Sequence, residues 1–170
     1  MSLVLLLGGA RSGKSALAVR LAGARATMIA TATPGDEEMA ERIRRHRAER
    51  PEGWSTVEEP LRLGEALGPV LPGEAVVIDC LTLWVANLIE AGRTDDEVLA
   101  GSSLVATAAA ARPGLTVAVS NEVGLGVVPA TPLGRRYRDL LGAVNAHWAE
   151  RADRALLLVA GRALELDAAG

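Results

Sequence analysis

The residues with the clearest chemical meaning lie near the start of the sequence. Residues 8–15 read GGARSGKS and match the pattern G-x-x-x-x-G-K-[ST] at every fixed position. In this pattern the backbone N–H groups of the loop surround phosphate oxygens, the lysine contacts the β- and γ-phosphates, and the serine, here Ser15, binds Mg²⁺. Lys14 is the only lysine among the 18 strongly basic residues of the chain. Because a bulkier, planar guanidinium does not fit the same loop, the sequence predicts a phosphate site that needs Lys14.

A second candidate is a carboxylate at the end of an apolar run. Residues 75–79 read AVVID, so Asp79 is the last residue of a predicted strand. In a phosphate-loop protein, a carboxylate at this place commonly holds Mg²⁺, directly or through water. The alternative is that Asp79 caps the helix that follows, although Thr82 is also able to cap that helix. We therefore expect Ser15 and Asp79 to be the metal ligands.

His46 lies in a segment that is rich in arginine. It is one of two histidines in the chain, and Arg44, Arg45, Arg47 and Arg50 surround it. A basic helix face that is merely solvated is the ordinary explanation of such a cluster. If the segment instead meets phosphates, the nearby positive charge keeps the imidazole neutral and able to attack phosphorus. The same charge stabilises the phosphate under attack, so His46 is a candidate nucleophile.

Residues 119–145 form the third stretch of interest. Polar residues and glycines, among them Asn121 and Glu122, follow an apolar run, and a helix with several arginines comes next. Polar groups at a strand end, followed by flexible glycines, are typical of a substrate-facing loop. An ordinary turn before a solvated helix is the alternative.

Alternating strands and helices must position these residues. Apolar runs predict strands at residues 3–7, 27–31, 55–57, 75–79, 115–120 and 155–160. Helical spacing predicts helices at residues 16–22, 36–50, 60–67, 82–90, 95–111 and 133–151. This alternation predicts one α/β domain over residues 1–170, with a mostly parallel sheet and helices on both faces. Ligands of such sheets bind beyond the carboxyl ends of the strands, which is where the candidate residues fall.

The amino-acid composition indicates what kind of protein this is and which kinds of partner and location it disfavours. The chain has 170 residues, of which 49% are hydrophobic and none is phenylalanine, so we expect one aliphatic core. Its net charge of −3 argues against a nucleic-acid partner. The single cysteine, Cys80, excludes an intramolecular disulfide and fits a cytoplasmic location. We expect no signal peptide, because the strand that precedes the phosphate loop is predicted to begin at residue 3. We also expect no membrane span, because no apolar run reaches about eighteen residues.

Together these segments resemble a known family, the bifunctional adenosylcobinamide kinase/adenosylcobinamide-phosphate guanylyltransferases of cobalamin biosynthesis. The resemblance runs nearly from end to end. It rests on GGARSGKS (8–15), VVIDCLTLWVANL (76–88), SNEVGLGVVP (120–129) and on residues 36–54 and 134–161. The phosphate loop alone indicates only nucleotide binding, whereas residues 36–54 and 120–129 together are far more specific.

The resemblance implies a P-loop fold similar to that of RecA-type ATPases, a homotrimer, and two Mg²⁺-dependent reactions. ATP or GTP phosphorylates the aminopropanol hydroxyl of adenosylcobinamide, and GTP then donates GMP to this phosphate with release of pyrophosphate. The GMP passes through a phosphoramidate on a histidine in the segment that matches residues 42–51, here His46. The nucleotide contacts that the resemblance implies are Gly8, Gly9, Ala10, Arg11, Ser12, Gly13, Lys14, Ser15, Thr31, Ala32, Thr33, Arg47, Ala48, Glu49, Arg50, Glu58 and Asp79.

Two other functions stay open from the residues alone. A different small-molecule kinase could use residues 36–50 as an arginine-rich lid, without histidine chemistry. A RecA-like motor or regulatory ATPase would act on nucleic acid, which the net charge of −3 disfavours. The sequence leaves open which nucleotide drives the kinase step, which residues bind the corrinoid, and whether Asp79 contacts metal or nucleotide.

Overall fold

The computed structural model describes residues 2–33, 37, 41, 44 and 51–168, and within them it defines seven strands and five helices. The strands are β1 (Leu3–Gly8), β2 (Ala26–Ala30), β3 (Ser55–Glu58), β4 (Ala75–Asp79), β5 (Thr116–Val119), β6 (Arg154–Val159) and β7 (Arg162–Leu166). The helices are α1 (Lys14–Ala22), α2 (Leu63–Leu67), α3 (Leu81–Glu90), α4 (Asp95–Ala111) and α5 (Pro132–Arg151). No helix in the described part of the chain is long and apolar enough to cross a membrane.

The strands form one sheet in the order β3-β2-β4-β5-β1-β6-β7. Every neighbouring pair is parallel except β6 and β7, which are antiparallel. Leu3 and Leu5 of β1 pack with Trp148 in the larger core, whereas Leu6 packs with Ala18 of α1 on the other face. Burial on both faces explains why β1 reads as an uninterrupted apolar run. The predicted α/β sheet with helices on both faces is confirmed.

Helix α2 begins at Leu63, three residues later than the sequence predicts. The carboxylate of Glu59 accepts the backbone N–H groups of Leu61 at 3.0 Å and of Arg62 at 2.9 Å. These bonds, the bond from Arg62 foremost, hold the pKa of Glu59 below its usual value. They fix a turn ahead of the helix, because a side-chain acceptor offers the backbone an alternative to helical bonds.

The arginine-rich helix predicted over residues 36–50 falls mostly outside the described residues. Within it, Glu37, Glu41 and Arg44 are helical, in agreement with the prediction at these three positions. His46 and residues 47–50 lie outside the described residues, so their proposed roles remain predictions.

Strand β7 is absent from the sequence-based prediction. It pairs with β6 across a two-residue turn, Ala160 and Gly161, whose φ angles are 50° and 78°. Positive φ at both positions gives the tight turn that matches the twist of two antiparallel strands. The sequence of β7, RALEL, consists mainly of good helix formers, so its local propensity gave no strand signal. Pairing with β6 determines its conformation.

Candidate active site

Lys14 begins helix α1, and its side chain folds back onto the phosphate loop. Its Nζ donates to the carbonyl oxygens of Gly8 at 2.9 Å and Gly9 at 2.6 Å, and it lies 3.3 Å from Ser12 Oγ. Only 8% of Lys14 is exposed. The ammonium is therefore held inside the loop, where phosphate oxygens can replace the carbonyl groups as its partners.

Two positions of the loop require glycine, one because a side chain has no space there and the other because of its backbone conformation. A Cβ on Gly8 would lie 2.4 Å from the carbonyl oxygen of Leu158, which is far inside van der Waals contact. Gly13 is the N-cap of α1 and has a φ of 101°, a conformation that other residues rarely adopt. Because Gly13 has no side chain to cap the helix, the first N–H groups of α1 are available to phosphate oxygens.

The turn between β6 and β7 supports the phosphate loop from the side. The N–H of Gly161 donates to the carbonyl oxygen of Ser12 at 2.9 Å. A Cβ on Gly13 would lie 3.3 Å from the Cα of Gly161, so the two chain segments touch. The hairpin that the sequence did not predict is thus one wall of the predicted phosphate site.

The other predicted residues lie at, or directly after, the carboxyl ends of parallel strands in the same sheet. Asn121 comes after β5, Asp79 ends β4, Thr31 comes after β2 and Glu58 ends β3. With adjacent strands about 4.8 Å apart, Asp79 lies about 10 Å from Gly8 along the sheet and Glu58 about 19 Å away. The predicted residues therefore share one edge of the sheet. Glu58 lies too far from the loop to contact the phosphates bound there.

Thr31 connects the ends of β2 and β4. Its Oγ1 donates to the carbonyl oxygen of Cys80 at 2.7 Å and accepts the N–H of the same residue at 2.8 Å. Nδ2 of Asn87 donates to the carbonyl oxygen of Thr31 at 2.8 Å, and Thr31 is completely buried. Because its hydroxyl is committed to Cys80, Thr31 positions the strand end, and Ala32 and Thr33 are the more accessible residues of this segment.

Neither Asp79 nor Thr82 caps helix α3. The N-cap is Cys80, which has an extended backbone and makes no side-chain cap bond. The Cys80 side chain packs against the smaller core, and burial is the main cause that raises the pKa of its thiol, to about 11. Thr82 lies within the helix, and its Oγ1 accepts the N–H of Asn121 at 2.7 Å. The N-cap position is thus held by neither of the two residues that the sequence offered for it, and the metal role of Asp79 stays a prediction.

A buried polar network fixes the loop that follows β5. Ser120 Oγ lies 2.6 Å from Oδ1 of Asn145, and Nδ2 of Asn145 donates to the carbonyl oxygen of Asn121 at 3.1 Å. The N–H of Glu122 donates to the carbonyl oxygen of Gly8 at 3.2 Å. Asn145 of α5 thus holds a loop that is bonded directly to the phosphate loop. Asn145 is not among the residues predicted from the sequence, although a polar residue on the buried stripe of an amphipathic helix is a usable signal.

A comparison with family models connects this arrangement to a known activity. The model described as "Cobinamide kinase / cobinamide phosphate guanyltransferase" matches residues 4–166. This range includes the phosphate loop, Asp79 and the loop after β5. The chain belongs to this family.

Curated relatives agree with the family. The bifunctional adenosylcobalamin biosynthesis protein CobP of Pseudomonas aeruginosa is 46% identical over 169 residues, with 95% of each chain covered. The bifunctional adenosylcobalamin biosynthesis protein CobU of Escherichia coli K12 is 38% identical over 174 residues, covering 94% of this chain and 96% of the relative. A solved structure, titled a structural study of PH0250 from Pyrococcus horikoshii OT3, covers 99% of this chain and 87% of its own, with a TM-score of 0.58 and 8% identity. This last likeness concerns the fold alone.

Family membership confirms the main functional prediction from the sequence. The chain is a bifunctional enzyme of cobalamin biosynthesis, a cobinamide kinase and cobinamide-phosphate guanylyltransferase with a P-loop fold. Nucleotide and cobinamide substrates follow from the family. The two alternatives, an unrelated small-molecule kinase and a RecA-like regulatory ATPase, find no support in these matches.

The oxygen donors at the edge of the sheet suit magnesium. Among the described residues, no group of three or more His, Cys, Asp or Glu side chains could hold a metal ion alone. Mg²⁺ needs no such group, because it commonly takes one or two protein oxygens and completes its shell with phosphate oxygens and water. The Ser15 hydroxyl and the Asp79 carboxylate are donors of this kind, so the residues present fit the ion.

Replacing Asn145 with alanine is expected to destabilise this enzyme by about 1–3 kcal/mol, because buried partners at Ser120 and Asn121 lose their hydrogen bonds. The turnover number of the kinase reaction should fall as well, since the loop bonded to the phosphate loop loses its anchor. Denaturant unfolding and steady-state kinetics measure the two effects. The control is Ala146→Ser on the exposed side of the same helix, with an expected change within about 0.5 kcal/mol. Equal unfolding free energies for the two variants would contradict the anchoring role.

Proposed function

We propose that this protein phosphorylates the aminopropanol hydroxyl of adenosylcobinamide with ATP or GTP and then transfers GMP from GTP to the new phosphate. The observation that carries this proposal is the buried ammonium of Lys14, folded onto the carbonyls of Gly8 and Gly9. It completes a phosphate loop in a chain that matches the family over residues 4–166.

In the kinase step, the chain's own contribution is to position and neutralise phosphate. The loop N–H groups and Lys14 hold the β- and γ-phosphates, while Ser15 and Asp79 would hold Mg²⁺. When bound, the ion neutralises charge on the phosphate oxygens. The substrate hydroxyl attacks the γ-phosphorus in line, and the bond from that phosphorus to the β-phosphate oxygen breaks. Positioning and charge stabilisation account for most of the catalysis in such transfers.

In the guanylyl step, His46 acts as the nucleophile. Its neutral imidazole attacks the α-phosphorus of GTP, a P–N bond forms, and pyrophosphate leaves. A phosphate oxygen of adenosylcobinamide phosphate then attacks the same phosphorus, which releases the imidazole and forms adenosylcobinamide-GDP. Arg47 and Arg50 stabilise the developing negative charge, as fixed cationic donors do in other phosphoryl transfers.

The positions of the remaining nucleotide contacts along the sheet support which part of the nucleotide each would meet. Ala32 and Thr33 follow β2, next to Asp79 on β4, and Glu58 ends β3 at the far side. Since Glu58 lies about 19 Å from the phosphate loop, it would contact a part of a nucleotide remote from the phosphates held there. We further propose a cytoplasmic homotrimer. The resemblance supports the assembly, and the single cysteine supports a reducing compartment.

The test of the proposed function uses two labels. With GTP labelled in the α-phosphate, denaturing electrophoresis should show a labelled protein band whose label is lost in acid and kept in mild base, as expected of a P–N bond. With a γ-labelled nucleotide, adenosylcobinamide should become labelled. A protein that shows neither reaction would refute the proposed function. A base-labile, acid-stable label would place the GMP on a residue other than histidine.

Changing Asp79 to asparagine is expected to slow both half-reactions by at least tenfold, which is about 1.4 kcal/mol of transition-state stabilisation. The change preserves the shape of the side chain and removes its charge, so the Mg²⁺ concentration for half-maximal rate should rise. Magnesium titrations of the rate measure this. Asp96→Asn, at an exposed carboxylate in the first turn of α4, is the matched control. An unchanged titration in Asp79→Asn would assign Asp79 to the sugar or base of the nucleotide instead.

A further inference from the structure

The loop between β5 and α5, together with the first turn of α5, exposes uncharged, apolar side chains. Residues 123–134 contain no charged side chain, although 23% of the whole sequence is charged. Within this stretch Leu125 is 84% exposed and Val127 is 96% exposed, and Val128 and Leu133 are also largely exposed. We call these four side chains the apolar platform. Groups of exposed apolar side chains commonly mark binding surfaces, because water contact with them is unfavourable.

The apolar platform lies beside the phosphate loop. Strands β1 and β5 are adjacent and parallel, so the segments that follow them leave the same edge of the sheet. The N–H of Glu122 donates to the carbonyl oxygen of Gly8 at 3.2 Å, and Leu125 comes only a few residues later. Three residues of chain span at most about 10 Å, so the start of the platform at Leu125 lies within reach of a substrate whose other end meets the phosphate loop.

The backbone between the loop part of the platform and Leu133 is held in place. The guanidinium of Arg135 donates to the carbonyl oxygens of Pro129 at 3.0 Å and Ala130 at 2.9 Å. Oγ1 of Thr131 accepts the N–H of Gly134 at 3.1 Å and so caps α5. A Cβ on Gly134 would lie 2.9 Å from Cβ of Pro129, which shows how closely the loop packs on the helix. A surface fixed before binding loses little conformational entropy when a ligand arrives.

We propose that the apolar platform binds the corrin macrocycle of the cobinamide substrate, with the aminopropanol arm directed at the phosphate loop. This inference rests on the proposed function. A corrin ring is broad, carries methyl groups, and has neutral amides at its periphery, so it suits a wide apolar surface without charged groups. The nucleotide, by contrast, carries several negative charges that this uncharged stretch cannot neutralise. Adjacency to the loop places the arm's hydroxyl at the edge of the sheet where the γ-phosphate is held.

The experiment compares the unaltered enzyme with the double variant Leu125→Asn/Val127→Asn, which makes the two most exposed platform side chains polar. Equilibrium dialysis with adenosylcobinamide and no nucleotide should show a dissociation constant raised by about tenfold or more. The KM for adenosylcobinamide should rise similarly, whereas the KM for nucleotide and the GMP labelling of the protein should not change. Sedimentation should give the same molecular mass for both proteins.

The control variant is Leu71→Asn. Leu71 is 67% exposed and lies before the start of β4, at the opposite edge of the sheet, so its replacement should leave corrinoid binding unchanged. The single variant Val127→Asn repeats the test at the most exposed position if the double variant folds poorly.

Equal corrinoid affinity in the unaltered enzyme and the folded platform variant would overturn this inference and leave the proposed function intact. A lower molecular mass of the platform variant would assign the surface to contacts between copies of the chain, and would overturn the inference as well. If the unaltered protein does not bind adenosylcobinamide at all, the proposed function fails together with the inference.

Discussion

Replacing Lys14 with alanine is expected to abolish the phosphorylation of adenosylcobinamide while the fold is retained. The change removes the charge that neutralises the β- and γ-phosphates in the transition state, a loss we expect to exceed a factor of about 10² to 10³ in turnover. It also removes the hydrogen bond from Lys14 Nζ to the carbonyl oxygen of Gly9, 2.6 Å away; since Gly9 is exposed and water can replace this bond, the unfolding free energy should fall by only about 1 kcal/mol. Kinase assays and circular dichroism of the same preparation separate the two effects.

The Lys14→Arg variant is the sharper test, because it keeps the charge and changes its shape. The lysine is 8% exposed and enclosed by the loop backbone, which leaves little room for a planar guanidinium. We expect turnover to be badly impaired in this variant too. Arg20→Lys, at an exposed position in the last turn of the same helix, is the control and should be fully active. Near-normal turnover of Lys14→Arg would show that charge alone is sufficient at this position.

Replacing His46 with asparagine is expected to eliminate GMP labelling of the protein while phosphorylation of adenosylcobinamide continues. Labelling requires a nucleophilic nitrogen, which the asparagine amide lacks, whereas the kinase step needs only the phosphate loop, the metal ion and an oriented hydroxyl. The chain offers a matched control, since His147 is its only other histidine. His147→Asn should be labelled like the unaltered protein.

Two results would contradict this assignment of His46. Acid-labile GMP labelling that persists in His46→Asn would exclude the residue as the nucleophile. If the folded variant loses both activities, His46 serves nucleotide binding in general and not the guanylyl step in particular.

The phosphate loop and its flanking elements were predictable because their determinants are local. The fixed residues of the motif lie within residues 8–15, and the apolar run before them is long enough to indicate a strand buried on both faces. The edge of the sheet at which Asp79 lies was also predictable, since alternating strands and helices determine where the carboxyl ends of parallel strands meet.

The supporting contacts of the site were not predictable, because their partners are distant in sequence. Thr31 bonds to Cys80 across 49 positions, and Asn145 bonds to Ser120 across 25. A hydroxyl or amide in a sequence shows that it needs a partner when buried, but not which partner. Strand β7 was missed for a related reason, since its neighbour in the sheet overrides the helical preference of its own residues.

The interior position of β1 in the sheet has a consequence for synthesis on the ribosome. Its two neighbours, β5 and β6, lie at residues 116–119 and 154–159, so the strand leaves the ribosome long before either of them. During that time an apolar segment with unpaired backbone groups is open to association with other nascent chains. The phosphate loop gains its side wall only after the ribosome has added Ala160 and Gly161. Newly made molecules should therefore acquire nucleotide binding as one of the last steps of their maturation, and the early strand is where a chaperone would act.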